Sequence, residues 1–311
     1  MNNRYFLELY ESGYRDFTGI HLYGNDFSQH ILVEVDLSLA NLQGTSFSRS
    51  FLTQAKFNHA NLTRANLSFA KMSECSLVGA NLTKANLRGS FLVRSDLSRA
   101  MLSGSDMCHV NLRQADLSQA NLCGANLTGI NLRGANLSGA NLAWAHLTGA
   151  RLSGAALEQT RMDGVNLEGA WLNGVDLSGM DLSGVNLKDA KLNGANLDRT
   201  NLSMTNLSHS TMRGVSMVGA NLSGSDLTGA VLWKAVLDGV NLSKADLTRA
   251  HLGEASLYQV QVEGTEFTES ILPDTARNYL LSSVNGQTRW TNRDARDTLE
   301  QCQFVDKLTN M

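Results

Sequence analysis

Proline is almost missing: one residue in 311, Pro273. Aromatic residues make up only 6% of the chain, too few for rings to line its full length. Four cysteines, Cys75, Cys108, Cys123 and Cys302, are too few and too scattered for a disulfide framework, which fits a reduced, cytoplasmic protein. No run approaches the roughly 20 apolar residues of a membrane-spanning helix. Residues 1–13 lack an apolar stretch long enough for a signal peptide. A net charge of −3 gives no global bias toward nucleic acid or anionic lipid. The seven histidines are dispersed, and no Cys or His pair lies twenty residues apart. No Gly-rich phosphate loop occurs. Ser and Asp recur so regularly that no Ser-His-Asp or paired-carboxylate site can be singled out. The sequence therefore points away from an enzyme and calls for no metal or cofactor.

What is present is a period of five. From Phe17 to Leu272 every fifth residue is Leu, Phe, Met or, once, Val262, in fifty-two consecutive units without an insertion. The stretch from Ala120 to Gly149, ANLCG ANLTG INLRG ANLSG ANLAW AHLTG, shows the unit at its most regular. A five-residue period matches neither the helical 3.6 nor the strand alternation of 2. Twenty-four of the 27 glycines stand two residues after the central one, as turn punctuation. Each unit thus reads as a very short extended segment and a turn. The central residue and the small one two before it point inward, and the other three point outward.

Sorted by position modulo twenty, three classes of unit carry Asn or Asp before the central residue in most cases. The fourth does so only at Asn111 and Asn131; its other members include Ile31, Phe51, Phe91, Arg151, Trp171 and Lys191. Four units therefore make one coil, and the chain would form thirteen, spanning about 58 Å at inter-strand spacing. The pattern A-[DN]-L-[ST]-x, as in Ala135-Asn136-Leu137-Ser138-Gly139, resembles the pentapeptide-repeat family. That resemblance implies an all-β, right-handed quadrilateral β-helix solenoid with no catalytic residues to carry over. LELYESGYRDFTGIHL resembles the N-terminal cap of cyanobacterial members, a resemblance that implies a regulatory role.

Three regions follow: a capping helix in 1–14, the β-helix in 15–274, and a non-repeat C-terminal cap or tail in 275–311. Asn3 to Ser12 reads as the capping helix, with Tyr5, Phe6, Leu9 and Tyr10 on its apolar side. The five central Phe sit near the ends, through wider terminal coils or simple tolerance for Leu. Pro273 falls just past the last central Leu, where it removes no ladder hydrogen bond. In the tail, Tyr279-Leu280-Leu281 would pad the last coil. Asn292 to Lys307 reads as an amphipathic helix that caps the end, or binds a partner or a second copy.

With no protruding loop, function falls to the faces and ends. From Ser90 to Lys234 the deviant class carries Arg94, Arg113, Arg133, Arg151, Lys191, Arg213 and Lys234 and no acid, together with Phe91, Val93, Trp171, Val231 and Trp233. Six acids and two arginines line the next class over the same coils. Aromatics beside arginine are the composition of interaction surfaces. The expected site is accordingly Phe91, Arg94, Arg113, Arg133, Arg151, Trp171, Lys191, Arg213, Trp233 and Lys234, binding a protein partner of unknown identity; the alternative is an ordinary solvated face. A phosphate chain is a weaker fit. Mimicry of duplex DNA toward a type II topoisomerase, known for some members of the family, is the alternative function.

Overall fold

A computed structural model describes residues 3–305. The chain divides into two compact units, Met1–Val165 and Asn166–Met311.

In the first unit, the residue before each central one pairs in parallel with its equivalent twenty positions on, from Asp16↔Asp36 to Asn141↔Arg161. One repeat shows how five residues achieve this. Asn136 N–H donates to Ala115 C=O at 3.0 Å, one rung back, and Leu137 N–H donates to Ala156 C=O at 2.8 Å, one rung on. Ala140 N–H then closes a turn on Leu137 C=O at 2.9 Å. The third residue of that turn, Gly139, has φ +68°, the conformation a type II turn demands. The same holds at every fifth residue from Gly19 to Glu269, with φ between +54° and +72° whether or not the residue is glycine. Non-glycine residues pay roughly 1–2 kcal/mol there, which the two ladders offset.

Leu117, Leu137 and Leu157 are buried in one column, each burial contributing about 1.5–3 kcal/mol. The inward small position accepts Ser and Thr because their hydroxyls find carbonyls: Thr160 Oγ1 donates to Leu137 C=O at 2.9 Å and Ser105 Oγ to Leu102 C=O at 2.7 Å. Cys108 occupies an outward turn position yet is buried, since so short a side chain lies between the flanking rungs.

Helix α1 (Asn3–Glu11) covers the first rung. Phe6 is fully buried, with ring centroids 4.2 Å from Phe17 and 4.8 Å from Phe27. Phe27, Phe47 and Phe57 continue the aromatic contact inward. Leu9 and Tyr10 are half-buried, but Tyr5, expected on the apolar side, is 53% exposed. A first rung has no preceding rung to bond its carbonyls. Asn3 Nδ2 donates to Asp26 C=O at 2.8 Å and Tyr10 OH to Val33 C=O at 3.0 Å, filling two of those places.

The second unit repeats the ladder from Asn166↔Asn186 to His251↔Ile271. Strand β1 (Ile271–Pro273) leads through a 3-10 turn (Asp274–Ala276) into helix α2 (Arg277–Ser283). Of the three residues expected to pad the end, Leu280 is buried, while Tyr279 and Leu281 remain about 40% exposed. The expected helix over Asn292–Lys307 is much shorter: α3 spans Ala295–Leu299 and gives way to strand β2 (Gln303–Val305), with Lys307 outside the described residues. The open ladder of the last rung explains the change. β2 pairs in parallel with β1, and Gln303 N–H donates to Ser270 C=O at 2.8 Å, where a further coil would have bonded. Between α2 and α3 the chain straps the outside of the ladder, with Trp290 Nε1 donating to Lys244 C=O at 3.1 Å.

Candidate interaction face

Most outward Asn and Asp residues are held by their own backbone. In the first unit Asn131 Oδ1 accepts from Arg133 N–H at 3.3 Å, and Asn131 Nδ2 donates to Asn111 Oδ1 at 3.3 Å. Asn111 Oδ1 likewise accepts from Arg113 N–H. This ladder fixes the turns that carry Arg113 and Arg133. In the second unit the deviant class obtains the same bond another way. Asn173 Oδ1 accepts from Asn193 N–H at 3.1 Å, and Asn193 Oδ1 from Arg213 N–H at 2.9 Å, each one rung on. The position before the central residue is thereby released for Lys191 and Thr211.

In the first unit, bridges join Ile31, Phe51, Lys71, Phe91, Asn111, Asn131 and Arg151 into one continuous column. Ile31, Phe51 and Phe91 are 64%, 48% and 39% exposed. Lys71 Nζ lies 3.5 Å from the Phe91 ring centroid, a cation–π contact. Arg94 is engaged by Glu74, which also accepts from Gln54 Nε2 at 3.0 Å. The Gln54 hydrogen bond, and then Arg94, hold the Glu74 carboxyl below the usual carboxylate range. Arg113 and Arg133 differ: they are exposed, one rung apart, and form no ion pair among the described residues. Held at the rung spacing of about 4.8 Å, two such charges would repel by about 1 kcal/mol in water, which an anionic group on a partner would relieve.

The second unit carries Trp171, 46% exposed, and Lys191 on its neighbouring rung, with Arg213 exposed. Trp233, expected to point outward, is only partly exposed. Its indole lies against Gly253, where an added Cβ would come within 3.3 Å. Lys234 covers it at 4.1 Å and reaches Glu254 at 3.6 Å. Both terminal cations of the expected set, Arg94 and Lys234, are thus neutralised by acids just beyond it. The first unit brings Phe91, Arg94, Arg113, Arg133 and Arg151 onto consecutive rungs; the second does so for Trp171, Lys191, Arg213, Trp233 and Lys234.

Two features lie outside the expected set. Ile31 and Phe51 belong to the same column, and their departure from the Asn/Asp rule was the signal. Trp144, 65% exposed, stands on a different face and lies flat over Gly164. An added Cβ at Gly164 would meet the Trp144 ring at 2.4 Å, whereas one at Gly149 meets nothing within 4 Å. Gly149→Ala is therefore expected to cost about 1 kcal/mol of backbone strain, and Gly164→Ala more. The excess should vanish in a Trp144→Ala background, as measured by thermal melting of the double-mutant cycle. An excess that persists there would show that the indole is not docked on Gly164.

A family model for pentapeptide repeats matches in eight copies, from residue 40 to residue 179 and from 181 to 274. The chain belongs to the pentapeptide repeat family. Its fold is the right-handed β-helix of that family. No curated protein matches the chain. Among solved structures, a pentapeptide repeat protein from the Arabidopsis thaliana thylakoid lumen is 33% identical over 42% of this chain and 90% of its own, with a TM-score of 0.40. HetL, a pentapeptide repeat protein involved in heterocyst differentiation regulation in the cyanobacterium Nostoc, is 28% identical over 85% of this chain and 96% of its own, at 0.21. QnrB1, a plasmid-mediated fluoroquinolone resistance protein, is 16% identical over 79% of this chain and 91% of its own, at 0.23. These superpositions are partial, and the assignment of this pentapeptide repeat protein rests on the repeat itself.

Proposed function

We propose that this thirteen-coil, four-sided β-helix is a non-enzymatic scaffold of the cytoplasm. It binds an acidic protein partner through the aromatic and basic residues of its deviant face. The observation that carries the reading is the pair Arg113 and Arg133: stacked on adjacent rungs, exposed, and without a carboxylate of their own among the described residues. Arginine and aromatic side chains are enriched at protein interfaces. The four free cysteines suit a reducing compartment.

The test is affinity capture of partners by the wild type and by an Arg113→Glu, Arg133→Glu, Arg151→Glu triple variant. All three side chains are exposed, so the variant is expected to melt like the wild type, because surface substitutions usually shift stability by about 0.5 kcal/mol or less. Loss of a specific partner supports the reading. Recovery of the same partners by both proteins removes it.

A further inference from the structure

The first-unit column has a polarity along its length. Ile31, Phe51 and Phe91 make one half apolar, with Lys71 lying on the Phe91 ring; Arg113, Arg133 and Arg151 make the other half basic. The apolar half carries Glu34 and the mutually paired Glu74 and Arg94, while the basic half has no acid in its own units. A complementary partner is apolar at one end and acidic at the other.

Spacing selects its conformation. Rungs lie about 4.8 Å apart, so the first four fall at about 0, 4.8, 9.6 and 14.4 Å. A helix stripe at positions i, i+3, i+7 and i+10 falls at about 0, 4.5, 10.5 and 15 Å. Same-side residues of an extended strand laid along the column recur every ~6.8 Å and lose register at the second rung. A helix remains within about 1 Å of the rungs over the apolar half, and the long arginines absorb the drift beyond it. The helix dipole adds a direction, since its negative C-terminal end is stabilised over the cations.

We propose that the column from Ile31 to Arg151 binds an amphipathic α-helix of a partner protein, about 20 residues long, with apolar residues in its N-terminal half and acidic residues on the same stripe in its C-terminal half. This rests on the reading of the deviant face as a binding surface and assigns the occupant of its first-unit part.

The probe is a labelled, Ala-rich peptide of about 20 residues carrying Leu at i, i+3, i+7 and i+10 and Glu along the rest of the stripe. A control peptide has the same composition with Leu and Glu alternating as in a strand, and a second control has the two halves exchanged. Binding to the full chain is read by fluorescence anisotropy at low and moderate salt. The first peptide is expected to bind about tenfold or more tighter than either control. Phe51→Ser with Phe91→Ser, and separately Arg113→Glu with Arg133→Glu, should each weaken it about tenfold, the second pair also flattening the salt dependence.

Equal affinity for the helical and alternating peptides, or an unchanged affinity in the Phe51, Phe91 double variant, overturns the proposal. A failing peptide alongside a partner that the triple arginine variant cannot capture would leave the binding face standing and remove only its helical occupant. A binding peptide alongside unaffected partner capture would support the helical occupant of the column and count against the face as the site of that partner.

Discussion

Leu137→Asp is expected to lower the melting temperature by about 10 °C or more, or to prevent folding of the first unit. Leu137 is fully buried, between Leu117 one rung back and Leu157 one rung on. Truncation to Ala would already cost about 2–5 kcal/mol. Asp adds a carboxyl group to a column of leucine side chains. The nearest backbone acceptor, Leu137 C=O, is already taken by Ala140 N–H and Thr160 Oγ1. The acid must be buried neutral or force the rung open, at a cost of several kcal/mol. For a unit of this size each kcal/mol is worth about 2–4 °C. In a stack each rung contacts mainly its neighbours, so the damage should spread in order. Hydrogen exchange should show amides of the 116–120 and 156–160 rungs losing protection before those near Phe47. A wild-type melt would contradict the inward placement of the central residue.

Phe6→Ala is expected to open the N-terminal end. Phe6 is the only fully buried residue of α1 and touches both Phe17 and Phe27. Losing a buried phenyl ring costs about 3–5 kcal/mol, more than a nine-residue helix can hold by propensity alone. With α1 released, the Asn3 and Tyr10 bonds to Asp26 and Val33 carbonyls go too. The first rung then presents an unpaired edge, which promotes association with other chains. Light scattering should rise with concentration, and amides of residues 16–35 should exchange faster. Unchanged exchange there would show that α1 is dispensable as a cap.

The repeat made the inward columns, the turns and the twenty-residue register legible, because one frame runs unbroken from Phe17 to Leu272. What stayed hidden were relations between residues twenty apart. That Trp144 needs Gly164, or that Asn193 caps the amide of Arg213, depends on which side chain lies over which backbone, and composition alone does not carry it. The tail departs from its sequence pattern for a related reason. Its residues from Asn292 have helical spacing, but the unpaired ladder of the last rung draws Gln303–Val305 into a strand. On the candidate face, the sequence shows seven cations and no acid from Ser90 to Lys234, whereas Arg94 and Lys234 are matched by Glu74 and Glu254 one rung beyond the set.

In the proposed function, position on the deviant face, and not charge in general, determines binding. Arg64, Lys84 and Arg88 are exposed on other faces, so Arg64→Glu, Lys84→Glu, Arg88→Glu changes net charge by the same amount as the Arg113, Arg133, Arg151 variant. The deciding measurement is quantitative partner capture by these two triple variants side by side. The expected result is loss with the Arg113, Arg133, Arg151 set and retention with the control set; equal loss, or equal retention, would contradict a binding role for this face.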